Sequence, residues 1–385
     1  MTQGLSRRRK AVLALLVLVA LAVAAASLPT VQRSVDALWL VYRLATVKAP
    51  TDIRGEPHII DGANGAFLAD LYRQGEPDAG LVLITGAQRD GRQQPQLVAL
   101  AKALAEAGFA VLVPDVPGLR ALRISSAQAE PIQEAVAYVR ANGALPAGAP
   151  VGIAALSYSV GPAVLAAADL PAGEQPDFLL GIGGYYDSEA AITFFTTGYF
   201  YDRTTDRWRG MPFNDYGKWV FVLSNTPFLD RIEDAALLRQ IASLRGADEP
   251  VDLTPLIEAL SPDGRAVLRL AQNSDPAKTP ALIDALPPAL QQEIEALSLA
   301  RRDLNDLTTT LLLVHGHNDP ILPASESVRL ADASPNSRLY LLNNLAHVEL
   351  NLDSLADAWT LLRACYDLMA ARDGALRRDA GPSVP

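Results

Sequence analysis

The segment IAALSYSVGP, residues 153–162, sets two serines one residue apart, Ser157 and Ser159, just after a short apolar run. A serine hydroxyl is a weak nucleophile until a base takes its proton and fixed N–H groups await the oxyanion. One way to supply both is a very sharp strand-to-helix turn carrying the serine, which demands small residues two places before and two places after it. Both serines meet that demand: Ser157 is flanked by Ala155 and Ser159, and Ser159 by Ser157 and Gly161. Register separates them. With VGIAA, residues 151–155, as the strand, Ser157 falls at the turn and Ser159 in the first helical turn, where a hydroxyl more naturally caps backbone groups. Ser157 is the candidate nucleophile. A base must be one of four histidines, His58, His315, His317 or His347. His58 precedes an edge hairpin and reads as structural, His315 as strand-end structure and His317 as exposed loop. His315 and His317 lack the nearby carboxylate and cysteine set that a metal site needs. Asp115, in VPDVPG, reads as a loop hydrogen-bonding residue.

The elements that must position these residues alternate along the chain. HIIDGANGAFLADLYR, from His58, holds two extended runs around Asn64 and Gly65, a hairpin pattern. LVLITG at 81–86, a helix over 97–108 closed by Gly108, and FAVLVPD at 109–115 form a βαβ unit with both strands buried. A helix over 126–142, strand 151–155, a helix from 159 to 169 and strand 178–184 follow. After a long interruption come strand 310–316, a helix near 324–332, strand 338–344 and a last helix over 352–371. This pattern predicts an α/β fold, a mainly parallel sheet covered on both faces with an antiparallel hairpin at one edge. The interruption, 187–308, predicts a helical, aromatic-rich cap: thirteen of the aromatic residues lie between Tyr185 and Phe228, and Thr254-Pro255, Ser261-Pro262 and Thr279-Pro280 read as cap-then-proline helix starts. Most of those aromatics are expected to form the insert's own core, and some to line an apolar cleft over the strand ends.

VGIAALSYSVG resembles the nucleophile elbow of the α/β-hydrolase family, VGxxGxSxGxG, with Gly152 and Gly161 in register. The resemblance spans residues 56–186 and 309–372 and departs from the pattern at Ala155 and Ser159, where the elbow usually has glycine, and at Thr85-Gly86, where the usual loop reads His-Gly. LLLVHGHNDPILP resembles the family's HGxxDxxxP stretch, which implies that Asp319 is the triad acid, with Asp187 a second position for it. NLAHVEL resembles the loop that delivers the base, which implies His347. The order serine, acid, histidine is the one this fold uses. The oxyanion hole is then expected at the backbone N–H groups of Tyr158 and Ala87. A serine nucleophile separates the chain from dehalogenase relatives and leaves acyl transfer: hydrolysis of a small apolar carboxylic ester first, with amide or peptide cleavage, lipase action or dienelactone-type hydrolysis as alternatives, and an idle binding module as the alternative outside enzymes.

A net charge of −10 over 385 residues offers no basic face for nucleic acid. No dinucleotide fingerprint or metal set is present in the sequence, so no cofactor is expected. The lone cysteine, Cys365, can form no internal disulfide and reads as a small buried hydrophobe. SRRRK at 6–10 followed by the uncharged AVLALLVLVALAVAAASL at 11–28 predicts a signal anchor or signal peptide within residues 1–30, putting the catalytic body outside the cytoplasm, membrane-anchored or, after cleavage near Ala24–Ala26, secreted or periplasmic. Residues 31–55 read as a short amphipathic helix and linker leaving the membrane surface, with Trp39 and Tyr42 suited to the interface. The tail, 373–385, is expected to be disordered.

Overall fold

A computed structural model of the chain describes residues 28–46, 50, 52–214, 216–246, 252–346, 349–350 and 354–376. The apolar run 11–28 lies outside these residues except for Leu28, as do His347 and residues 377–385 of the tail. Among the described residues no helix is long and apolar enough to cross a membrane.

The first helix, α1 (Pro29–Thr46), precedes a hairpin of β1 (Glu56–Gly62) and β2 (Gly65–Tyr72). Gly62 pairs with Gly65, so the turn is Ala63-Asn64, and Gly65 enters the second strand at φ +120°. The chain continues through β3 (Ala79–Ile84), α2 (Pro95–Glu106), β4 (Phe109–Pro114), α3 (Ala129–Asn142), β5 (Val151–Leu156), α4 (Val160–Ala168) and β6 (Phe178–Ile182). All six residues of β3 and of β4 are buried, which is why these strands read as unbroken apolar runs: a central parallel strand is covered on both faces.

The inserted segment then holds α5 (Ser188–Thr197), a hairpin of β7 (Tyr199–Asp202) and β8 (Arg207–Gly210), α6 (Tyr216–Asn225), α7 (Ile232–Gly246), α8 (Thr254–Ala259), α9 (Pro262–Ala271), α10 (Thr279–Asp284) and α11 (Pro288–Leu297). The hairpin is absent from the sequence reading, which treats this stretch only as aromatic-rich. Of the three cap-then-proline dipeptides, Ser261 alone is an N-cap, accepting from Gly264 N; Thr254 and Thr279 are already the first residues of their helices. Thr279 is instead buried, where its hydroxyl accepts from Asn273 Nδ2. The core resumes with β9 (Thr310–Gly316), α12 (Ala324–Ala333), β10 (Ser337–Leu342), a small ladder of β11 (Leu345–Ala346) with β12 (Glu349–Leu350), and α13 (Leu355–Arg372).

The main sheet has eight strands in the order β1-β2-β4-β3-β5-β6-β9-β10. The β1–β2 and β2–β4 pairs are antiparallel and the other five are parallel. This is the α/β-hydrolase fold, a mainly parallel sheet flanked by helices with an antiparallel edge hairpin and a helical insertion. Alternate residues feed two cores. Val82, Ile84, Ile153 and Ala155 face α3, α4 and the inserted helices, while Leu81, Leu83 and Ala154 face α1, α2 and α13. The chain leaves β3 towards β4 and then returns past β3 to β5, so the path reverses between the carboxyl ends of β3 and β5. In such sheets that reversal opens a crevice where ligands bind.

The α1 helix is docked on the body. Ala37 and Leu40 are buried, Arg33 pairs with Asp373 at 2.6 Å, Asp36 with Arg372 at 2.8 Å, and Arg43 with Glu106 at 2.6 Å. Asp373, at the start of the tail, is held by both Arg33 and Arg372.

Candidate functional site

Ser157 is the residue after β5, at the carboxyl edge of the sheet beside the reversal point. Its φ is +58°, left-handed backbone that a non-glycine residue adopts at a cost of roughly 1–2 kcal/mol. Leu156 before it is extended, at φ −112° and ψ 136°, and a single 3-10 turn, Ser157–Ser159, leads directly into α4. The chain therefore passes from strand to helix within one residue, and Ser157 sits at the apex. Strain of this kind persists where the surroundings over-determine it.

The surroundings are visible in two glycines. A Cβ on Gly86 would come within 3.2 Å of Ser157 Cβ and 3.4 Å of Leu156 O, so the loop after β3 approaches the apex backbone as closely as glycine permits. A Cβ on Gly161 would sit 2.2 Å from the Tyr185 hydroxyl, so α4 and the loop after β6 interlock at that position. Ala87, next in the β3 loop, is buried, and Tyr158, directly after Ser157, is buried with it. Ser159 has a different task. Its buried hydroxyl donates to Thr85 O at 2.6 Å, tying the start of α4 to the end of β3, and the Thr85 side chain in turn accepts from Gln88 Nε2. The hydroxyl therefore does not cap α4 as the sequence reading expects; it donates to a carbonyl at the end of a neighbouring strand.

Asp319 follows β9 and is completely buried. One carboxylate oxygen accepts from Ile321 N at 2.8 Å and Leu322 N at 3.1 Å, and the other lies 3.4 Å from His315 Nε2. His315 is itself buried, with Nδ1 2.7 Å from Ser327 Oγ and Nε2 3.0 Å from Leu322 O. Since a carbonyl only accepts, Nε2 carries a proton and donates to Leu322 O. Both ring nitrogens are thereby engaged in holding the Asp319 loop. Asp187 is differently placed. It caps α5 through Glu189 N at 3.0 Å and pairs with Arg329 at 2.8 Å. Arg329 also pairs with Glu326 at 2.9 Å, and the buried Glu326 accepts from Tyr186 N at 3.1 Å and Asp187 N at 2.7 Å. Burial pushes the Glu326 carboxyl above its ordinary range, against the pull of Arg329 and the two N–H groups. This group fastens α12 to the entry of the insertion.

His347 lies outside the described residues, but its approach is well defined. A Cβ on Gly316, the last residue of β9, would be 1.8 Å from Leu345 O, so the chain before His347 crosses directly over the strand end that leads to Asp319. Asp357, buried at the start of α13, accepts from Asn343 N and Nδ2 at 2.8 and 3.1 Å and from Asn344 N and Nδ2 at 3.1 and 2.9 Å. The sequence reading missed this clamp. Its trace there is the Asn343-Asn344 pair followed by an acid in the first turn of the next helix, a pattern with meaning only once the loop is known to fold back.

Of the remaining candidates, His58 and Asp115 are engaged in contacts within the fold. His58 Nδ1 lies 2.8 Å from the Tyr138 hydroxyl, His317 is exposed, and Asp115 joins Arg92 and Arg120 at 3.3 and 3.5 Å. Among the described residues no group of three or more His, Cys, Asp or Glu could hold a metal ion.

Beside the elbow an apolar pocket lies between Tyr158 and the helices α5, α6 and α11. Its wall includes Tyr158, Ile192, Phe195 and Phe221, with Tyr158 edge-on to Phe195 at 6.4 Å and Phe195 against Phe221 at 5.7 Å. Polar residues also line it: Glu293, which accepts from Ser126 N at 2.6 Å and Ser126 Oγ at 3.0 Å, and the buried Ser188, Ser224 and Asn225.

No family model matches the chain, and no curated protein does. Similar solved structures include an esterase of Pyrococcus furiosus, 10% identical over 82% of this chain and 90% of its own, TM-score 0.42. Est1E from Butyrivibrio proteoclasticus is 16% identical over 83% of this chain and 100% of its own, TM-score 0.45. The α/β hydrolase GrgF from a Penicillium species is 16% identical over 83% and 99%, TM-score 0.47. The fold is defined here by strand order and crossovers rather than by these distant likenesses.

Proposed function

We propose that the protein is a serine hydrolase that cleaves a small apolar carboxylic ester through Ser157, His347 and Asp319. The observation that carries this reading is the left-handed backbone of Ser157 at the apex of a one-residue turn from β5 into α4, beside the reversal point of the sheet. A strained, buried serine at that position has no packing advantage over glycine, which adopts the same backbone freely.

In the proposed mechanism, neutral His347 takes the Ser157 proton as the hydroxyl attacks the ester carbonyl, and Asp319 fixes the imidazole tautomer and stabilises the imidazolium. The N–H groups of Tyr158 and Ala87 receive the oxyanion, aided by the N-terminal end of α4 behind Ser157. Collapse of the tetrahedral intermediate expels the alcohol, protonated by His347, and water then hydrolyses the acyl-enzyme by the same route. Asp319 suits the acid role better than Asp187 because it follows β9, whose end is crossed by the chain that leads to His347, whereas Asp187 is ion-paired with Arg329. The aromatic pocket under the inserted helices supports an apolar substrate group. Residues 11–28 are proposed to hold the chain to a membrane with this body outside the cytoplasm.

Labelling with a fluorophosphonate probe, followed by mass-spectrometric mapping, tests the reading. Label on Ser157, lost in Ser157→Ala together with hydrolysis of short-chain activated esters, is the expected result. No label and no turnover would mark the site as an idle binding module.

A further inference from the structure

The α1 helix is apolar on two faces: Ala37 and Leu40 are buried against the body with Val41 and Leu44 packed beside them, and a second apolar face is turned outward. Its charged residues, Arg33, Asp36 and Arg43, are paired with Asp373, Arg372 and Glu106; the two arginines are largely covered, and Asp36 lies at the flank with its side chain 37% exposed. Its outward face carries Leu28, Val31, Val35, Leu38, Trp39 and Tyr42, exposed by between 36% and 58%, accompanied by Thr30, Gln32 and Ser34 and by no charge. The spacing from 28 through 31, 35, 38 and 42 is that of one helical face. Large apolar side chains gathered on one exposed face mark an interaction surface, whereas the same residues scattered singly would not.

We propose that this face is seated in the headgroup boundary of a lipid bilayer. The chain's own order argues for that occupant. The stripe begins at Leu28, the last residue of the uncharged run 11–28, which follows the basic cluster SRRRK, so the sequence delivers this face to the place where that run would leave a membrane. Trp39 and Tyr42, stacked at 5.2 Å, are the two side-chain types that favour the interface, with an apolar body and a polar edge. Arg43 lies over the Trp39 ring at 4.8 Å while bonding Glu106, so the aromatic pair is fixed to the body rather than carried on a loose linker. The contact is therefore a second one, distinct from the proposed tether. It holds the catalytic body against the bilayer in one attitude instead of leaving it to swing on a stalk. This inference rests on the proposed membrane attachment but not on the catalytic reading.

The test uses the full chain in phosphatidylcholine vesicles. The native Cys365 is buried, with its thiol pushed up to about 12, so Val35→Cys introduces the single reactive thiol for a polarity-sensitive fluorophore. The expected result is a blue-shifted label that loses most of its emission when the lipid carries brominated acyl chains and resists aqueous iodide. In unlabelled protein, Trp39→Phe should remove most of the bromolipid quenching of intrinsic fluorescence. A chain that floats with the vesicles while position 35 remains open to iodide and blind to bromolipid overturns the inference and leaves the tether standing. Protection at position 35 without bromolipid quenching assigns the face to a second copy and also overturns it. A chain that does not float removes both proposals together.

Discussion

Replacing Ser159 by alanine separates the two serines by their different work. In the structure the Ser159 hydroxyl is buried and donates to Thr85 O at 2.6 Å, so the substitution removes one buried hydrogen bond and deprives the Thr85 carbonyl of this donor. A neutral buried bond lost with its acceptor left behind costs about 1–3 kcal/mol. At roughly 2 °C per kcal/mol for a chain of this size, that corresponds to a fall of about 2–6 °C in the melting temperature. Activity should suffer less. The bond steadies the end of β3, two residues before Ala87, so relaxing it loosens one proposed oxyanion donor without touching the nucleophile, and kcat should fall by no more than about tenfold, or ~1.4 kcal/mol. The assay pairs a thermal melt with hydrolysis of a p-nitrophenyl ester, with Ser157→Ala alongside as the inactive reference. If Ser159→Ala is as inactive as Ser157→Ala, the nucleophile has been placed two residues too early. If activity persists but the melting temperature is unchanged, the Ser159–Thr85 bond does not contribute to stability as argued.

Asp319→Asn should lower kcat by about 10^3- to 10^4-fold, because an amide cannot hold the required imidazole tautomer. Asp187→Asn should be nearly neutral for kcat in the same ester assay, and the opposite pattern would move the acid to the start of the insertion. Asp357→Ala removes the acceptor of four hydrogen bonds from Asn343 and Asn344, and it should reduce esterase activity while leaving the rest of the fold intact. Hydrogen exchange confined to the segment around 343–350 would confirm a loosened loop, whereas an unchanged exchange pattern would show the clamp to be idle.

The sheet was legible in the chain because its central strands are buried on both faces. LVLITG, FAVLVPD and TLLLVHG stand out as continuous apolar runs, and the helices between them carry the longer period. The Ser157 turn could be anticipated for a related reason: a one-residue passage from strand to helix is a local event, governed by the small residues on either side. The β7–β8 hairpin escaped notice because its exposed strands, YFYD and RWRG, lack the apolar-polar alternation that a half-buried strand shows. Nothing in the sequence reading anticipated that α1 would be bound to the body by Arg33, Asp36 and Arg43, since their partners at 373, 372 and 106 lie far along the chain.

What the sequence by itself determined, then, is what depends on neighbours in the chain: the order and period of the elements, the apolar character of the sheet, and which serine could occupy the turn. The tertiary structure alone decided what depends on distant partners. It bound Ser159 to Thr85 across 74 positions, fixed the Asn343-Asn344 loop to Asp357, and committed Asp187 to Arg329. A hydrogen bond or ion pair of this kind leaves no periodic trace, because its two halves are brought together only when the sheet and its helices have packed.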